Sequence, residues 1–294
     1  MNDMMDGTGD STVITVISGV SRGMLFNDDA CLVVVYGEEV GRRLPMGRQE
    51  TVIGRSRECD IQLRNDSASR RHASVFISPD GYMVRDLGST NGTAVNDQPV
   101  TESLLADGDE LRLGRTVMRF LCGKGIEGKY QDLLVDVARE DGLTGAAKQA
   151  VFNQCLDDEC ARARRYNRGV SVAVLELRNF DDYVDRVGRI WADLRLRKVS
   201  RVLSRTLRTN DLLARVGESR FALLLPETGP EDARVCLERL FEDVRIALDE
   251  QPVIGGVTSA MGKSCVSLSI MGAADEALRQ ARTTEAGISF IAVT

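Results

Sequence analysis

Histidine is almost absent from this chain, with one in 294 residues. A lone imidazole without an acidic or cysteine partner at ligand spacing reads as a structural residue, so His72 is set aside as a catalytic or metal-binding group. The seven cysteines (Cys31, Cys59, Cys122, Cys155, Cys160, Cys236 and Cys265) contain no CxxC spacing, and one is left over from any full pairing. They read as buried free thiols of a reducing cytoplasm. No apolar run approaches membrane length; the stretch 12–20 is short and broken by serine and glycine. Positive charge is also short, with a net charge of −6, which argues against a nucleic-acid partner needing a basic face. What remains, 43% apolar and 28% charged residues over 294 positions, is a soluble globular composition long enough for two cores.

The most informative stretch is Gly54-Arg55-Ser56, then Ser69-Arg70-Arg71-His72, then Gly88-Ser89-Thr90-Asn91-Gly92-Thr93 and Asn96. Thr51-Val52-Ile53 is a β-branched run ended by Gly54, so Arg55 leaves a strand end for a loop. Its guanidinium is permanently charged and presents a planar fork that matches a phosphate dianion better than lysine does; a surface pair with a carboxylate such as Asp60 is the plainer role for it. Ser69 offers a hydroxyl donor and Arg70 a second cation. Asn91-Gly92 favours a tight reversal whatever else it does. No nucleophile with a base accompanies these groups, so the collection reads as a binding site.

In order and spacing these motifs, with the following LADGDELRLG, resemble the forkhead-associated domain over residues 31–121. The resemblance implies a β-sandwich that binds phosphothreonine, with Arg55, Ser69, Arg70 and Thr90 at the phosphate, Asn91 on the peptide backbone and Asn96 bracing the loop. A phosphothreonine protein or peptide is the expected partner, written by a Ser/Thr kinase.

Residues 1–29 read as a flexible cytoplasmic tail: residues 1–10 carry three aspartates and neither lysine nor arginine, which fits neither a signal peptide nor a membrane span. Thr8, Thr12 and Thr15 in that tail are candidate phosphosites, because a tethered ligand has a high effective concentration at a nearby receptor. The expected divisions are 30–122 for the first domain, 123–140 for a glycine-rich linker with a short helix, and 141–294 for the second. Tyr130, Leu133, Leu134, Val137 and Ala138 recur at helical spacing and offer a face for a homodimer.

Beyond residue 141 the pattern is helix, strand, helix, hairpin, helix, strand, helix, an α/β sheet packed on helices. Asp141-Gly142-Leu143-Thr144-Gly145, Glu176-Leu177-Arg178-Asn179-Phe180 and the hairpin about Gly217-Glu218-Ser219-Arg220-Phe221 resemble the GGDEF diguanylate cyclase domain, a ferredoxin-like, cyclase-like fold. That family joins two GTP molecules with metal ions held by acids on the first strand and in the signature turn. Here Glu176 stands at the first position, but Ser219 and Arg220 replace the signature acids. Val184 stands for the guanine-contacting asparagine, Asp181 for a phosphate-contacting lysine, and Asp193 is retained as a second base-contacting acid. The resemblance thus implies a degenerate site with no catalytic residues, metal or cofactor, a pseudoenzyme. Arg208-Thr209-Asn210-Asp211 matches the RxxD motif with which relatives bind cyclic di-GMP; its plainer role is to end a helix and pin the hairpin. The expected protein is a multidomain, non-catalytic signalling adaptor; a cyclic di-GMP receptor using Arg208 and Asp211 comes second, and an active cyclase third.

Overall fold

β1 (Ala30–Tyr36) is apolar at successive positions because both of its faces are covered. Ala30, Leu32 and Val34 face one core, while Cys31, Val33 and Val35 face another, as the two-residue strand period requires. This computed structural model describes residues 30–293 except 48, 249–252 and 285, and the threonines at 8, 12 and 15 lie outside it.

The first domain is two packed sheets. β1 lies between β2 (Arg43–Pro45) and β11 (Thr116–Cys122), and that sheet continues through β10 (Glu110–Leu113), β7 (Thr93–Val95) and β8 (Gln98–Val100). The facing sheet runs in the order β4 (Ile61–Gln62), β3 (Thr51–Gly54), β5 (Ala73–Ser78), β6 (Gly81–Asp86) and β9 (Glu102–Leu104). Leu32, Ile53, Val84, Leu111, Met118 and Phe120 fill the space between them, each worth roughly 1.5–3 kcal/mol of burial.

The outer face of β1 and β11 is covered by α1 (Ile126–Arg139), whose Ile126 and Leu133 are buried against Cys31, Val33, Val35, Val117 and Leu121. Tyr130 and Val137 pack on the same cluster. Three of the five residues expected to face a second protomer, Tyr130, Leu133 and Val137, thus pack within the chain itself, while Leu134 is half-buried and Ala138 exposed. All seven cysteines are free, but only Cys31, Cys160 and Cys265 are buried, where the sequence reading expected burial of all; burial pushes the Cys160 thiol up to about 11.

The second domain is one six-stranded sheet in the order β12 (Ala147–Lys148), β14 (Leu212–Arg215), β15 (Arg220–Pro226), β13 (Gly169–Leu177), β16 (Val253–Met261) and β17 (Ile288–Val293). Alternation along β13 sorts the core. Ala173, Leu175 and Leu177 meet α3 (Phe180–Val187), α4 (Arg189–Thr206) and α5 (Pro230–Leu248) on one face. Val170, Val172 and Val174 meet α2 (Gln149–Tyr166) and α6 (Ser267–Ala281) on the other. β12, α3 and β17 are absent from the order expected from the sequence and are additions to it.

The domains are joined by charge as well as by chain. Arg197 of α4 reaches Asp97 at 2.9 Å and also pairs with Glu110, while Arg201 pairs with Asp97. Arg115, in the turn between β10 and β11, places Nε 2.9 Å from Oδ2 of Asp193. The start of the second domain is equally close: a Cβ on Gly142 would lie 1.8 Å from the Val35 carbonyl oxygen, so only glycine passes there.

Candidate functional site

β3 ends at Gly54 because the next loop crosses directly over it; a Cβ there would stand 2.3 Å from the Arg70 carbonyl oxygen. That approach lets Arg55 N–H donate to the Ser69 carbonyl (2.9 Å) and Ser56 N–H to the Arg70 carbonyl (3.0 Å), lacing two loops into one rim. Arg55 then projects from the rim with Nε on the Ala68 carbonyl at 3.3 Å. Its nearest carboxylate is the fully exposed Asp66 at 3.9 Å; Asp60 instead accepts the Val52 N–H at 2.8 Å.

The Ser69 hydroxyl accepts the Thr90 N–H at 3.0 Å and lies 3.4 Å from the Thr90 hydroxyl. Asn91 donates its side-chain amide to the Ser67 carbonyl at 2.7 Å. The buried His72 ties both loops: Nδ1 accepts from Ser69 N–H at 3.1 Å, and Nε2 lies 3.1 Å from the Gly92 carbonyl. Burial holds its pKa below the ordinary imidazole value. Asn96 donates to Asp109 (2.8 Å) and accepts from Glu110 N–H (2.9 Å), holding the next turn. Arg55, Ser69, Arg70, Thr90 and Asn91 line a single open cleft of about 590 Å³.

Asp86 is the residue that motif reading passed over. Its carboxylate accepts from Gly88 N–H (3.0 Å), Ser89 N–H (2.9 Å), Ser89 Oγ (2.6 Å) and Thr93 Oγ1 (2.7 Å). Burial pushes its pKa upward, but these donors outweigh it and hold the carboxyl below its ordinary value. An aspartate two residues before a glycine is the signal that could have found this turn.

In the second domain Glu176 and Arg220 face each other across β13 and β15. Arg220 Nε lies 2.5 Å from Oε2 of Glu176, and Arg282 Nη2 lies 2.7 Å from Oε1. Arg220 also approaches Asp275 at 3.7 Å. Both oxygens of the retained acid are thus held by guanidiniums, a donor set that does not suit a divalent ion. Among the described residues no group of three or more His, Cys, Asp or Glu forms a metal-binding cluster. The remaining signature residues serve the hairpin: Glu218 pairs with Arg189, its carbonyl accepts from Arg215 at 2.7 Å, and Phe221 is buried in the core. Gly217 precedes them in the turn between β14 and β15, while Ser219 gives its carbonyl to Leu177 N–H at 3.1 Å. Val184 packs against the core. Asp193, with only 7% of its side chain exposed, holds Arg115 on one oxygen and Arg189, at 3.3 Å, on the other.

Asp211 closes its own turn, accepting Arg208 N–H at 2.8 Å and donating its N–H to the Arg208 carbonyl at 3.0 Å. Both residues also line a cavity of about 630 Å³ together with Arg162, Tyr166 and Arg168. The motif thus closes its own turn and also faces a cavity.

The two halves match two families. Residues 51–114 match the FHA domain, and residues 138–287, about half the chain, match the diguanylate cyclase GGDEF domain. The chain belongs to the GGDEF family and carries an FHA domain ahead of that module. The oxoglutarate dehydrogenase inhibitor of Corynebacterium jeikeium is 35% identical over 42% of this chain and 82% of its own length. The glycogen accumulation regulator GarA of Mycolicibacterium smegmatis is 35% identical over 41% of this chain and 73% of its own. The solved coiled coil and GGDEF domain of DgcB from Caulobacter crescentus, in complex with c-di-GMP, covers 56% of this chain and 92% of its own at TM-score 0.51 and 23% identity, a likeness of fold. No described helix is long and apolar enough to cross a membrane.

Proposed function

We propose that this chain is a non-catalytic signalling protein that binds a phosphothreonine-bearing partner in the cleft of Arg55, Ser69, Arg70, Thr90 and Asn91 and relays that event through a GGDEF domain that condenses no GTP. The contrast between two charged sites carries the reading. In the first, a guanidinium at the rim of an open cleft has no carboxylate closer than 3.9 Å, which suits an incoming dianion. In the second, the one acid on the strand is closed by Arg220 and Arg282, and without a bound cation the phosphoryl transfer of this family has nothing to neutralise its developing charge.

A Ser/Thr kinase writes the mark that the cleft reads, and the expected setting is the cytoplasm. The names of the relatives, an inhibitor and a regulator, support a role exerted through binding. The test is capture on phosphothreonine peptides by the full chain, before and after phosphatase, with Arg55→Ala alongside, and incubation with GTP and magnesium or manganese. Phosphate-dependent capture lost in Arg55→Ala, with no cyclic dinucleotide formed, is the expected outcome; turnover of GTP overturns the second half of the proposal and returns the chain to the active cyclases.

A second reading rests on the cavity beside Arg208 and Asp211, where Arg162 and Arg168 add positive charge. It makes the second domain a cyclic di-GMP receptor, with Arg208 gripping phosphate or stacking on guanine. Calorimetry with cyclic di-GMP on the native chain and Arg208→Ala decides it, because a purely structural RxxD turn gives no heat in either protein.

A further inference from the structure

Thr90 and Asn91 line a second cavity, of about 560 Å³, on the side of the turn away from Arg55. Its far wall comes from the other domain: Ile190, Trp191 and Leu194, on the first turns of α4. Trp191 is 64% exposed and is the only tryptophan of the chain. The opposite face of the same helix is spent on the core, through Ala192, Leu196, Val199 and Leu203.

The two walls are held at fixed separation. Arg115 with Asp193, and Arg197 with Asp97 and Glu110, fasten α4 to the sandwich on both sides of Leu194. The same pairs neutralise the floor. Arg115 and Arg189 are taken by Asp193, and Asp97 by Arg197 and Arg201. Arg112 also lines the groove as a cation with its Nε buried; beside it the groove presents a backbone turn and the apolar side chains of Pro99, Val187, Ile190, Trp191 and Leu194.

We propose that this groove is a second subsite for the phosphothreonine partner: residues flanking the phosphothreonine pass the Asn91 turn and set an apolar side chain against Trp191 and Ile190. The inference rests on the reading that the Arg55 cleft holds phosphothreonine. Continuity identifies the occupant as the peptide, because Ser67, Thr90 and Asn91 line both cavities. An extended peptide advances about 3.3 Å per residue, so moving one apolar residue along it locates the position that meets the tryptophan. The GGDEF domain then acts as a specificity wall for the FHA domain, and the partner it selects is a phosphothreonine segment with an apolar residue a few positions away on one side.

The sole tryptophan supplies the readout. Full-length protein is titrated with nine-residue peptides carrying a central phosphothreonine in an all-alanine frame, and with a set in which one leucine is moved through each flanking position. At one or two neighbouring positions on one side, leucine tightens binding about tenfold and shifts the Trp191 emission to the blue. Ile190→Glu and Trp191→Ala, followed by anisotropy of labelled peptides, lose that gain while binding the all-alanine phosphopeptide as the native chain does. If leucine gives no gain at any position and the emission stays unchanged, while the all-alanine phosphopeptide binds and Arg55→Ala abolishes that binding, the groove proposal falls and the phosphothreonine reading stands. A leucine gain that survives both groove substitutions places the selectivity in the first domain alone and also overturns it. An emission shift driven by protein concentration without peptide assigns the groove to a second copy of the chain. Absence of all phosphopeptide binding removes both readings.

Discussion

Restoring acids at the signature turn should restore metal binding by a calculable amount. A divalent ion ligated by Glu176 would stand about 4 Å from the guanidiniums of Arg220 and Arg282, which costs about 8 kcal/mol each at an effective dielectric near 20. Those side chains are 38% and 50% exposed, so solvent screening brings each cost toward the bulk-water value of about 2 kcal/mol. Two cations therefore oppose the ion by at least about 4 kcal/mol, roughly a thousandfold in affinity. Manganese titration followed by the electron paramagnetic resonance of the free ion should show no binding to the native chain below millimolar concentration. Ser219→Asp with Arg220→Glu, and then Arg282→Ala added, should tighten it stepwise. Without metal the extra acid beside Glu176 lowers the melting temperature, and manganese restores it by mass action. Micromolar manganese binding by the native chain, abolished in Glu176→Ala, would refute the electrostatic reasoning, as would a folded triple variant that binds no better than the parent.

Three further outcomes follow from the same contacts. His72 is held below its ordinary pKa by burial, so the unfolded chain binds more protons between that depressed value and about 6.5. Stability should therefore rise with pH across that window and level off above it; urea midpoints from pH 5 to 7.5, native against His72→Gln, check this, and coincident pH profiles for the two proteins count against it. Gly54→Ala drives a Cβ to within 2.3 Å of the Arg70 carbonyl and should cost about 1–3 kcal/mol, weakening phosphopeptide binding although every side chain of the cleft is retained; calorimetry and denaturation on one preparation measure both. Arg197→Met removes the shared partner of Asp97 and Glu110, all three less than a fifth exposed. A loss of about 3 kcal/mol is expected, at the low end for a buried pair because Arg201 and Arg119 remain; unchanged denaturation would mean that the network contributes nothing to the docking.

The elements with strong local signals were legible in the sequence. Pro230 opens α5 where a fixed φ and a missing N–H cost nothing, and the runs either side of Gly217 pair as β14 and β15. The cleft residues were legible because glycines and hydroxyls in loops have local reasons to be there. The coverage of α1 was not. Its stripe of Leu133 and Val137 states that an apolar face must be buried, and only the folded chain reveals that β1 buries it. The interdomain charges were equally silent. Arg115 and Arg197 stand in no motif, and their partners Asp193 and Glu110 lie 78 and 87 positions away in the chain, beyond any local pattern. Asp193 itself was read only by resemblance, as a base-contacting acid.

That last residue joins the two halves of the argument. The Asp193 carboxylate is only 7% exposed, with one oxygen hydrogen-bonded to Arg115 and the other buried beside Arg189 without a hydrogen bond of its own, so neither oxygen reaches a guanine edge unless one of those cations moves. Displacing the first means moving the FHA domain, because Arg115 is held there by its own backbone: its N–H donates to Ser67 Oγ at 2.8 Å. The Ser67 carbonyl accepts the side chain of Asn91 at 2.7 Å. A continuous set of contacts thus runs from the turn at the candidate phosphopeptide cleft, through Ser67 and Arg115, to the acid that the resemblance assigns to nucleotide. On the proposed reading, the second domain has exchanged a nucleotide contact for a domain contact. The residue that would have held a base now holds the reader of phosphothreonine in place, and a peptide that shifts the Asn91 turn pulls on that pair directly.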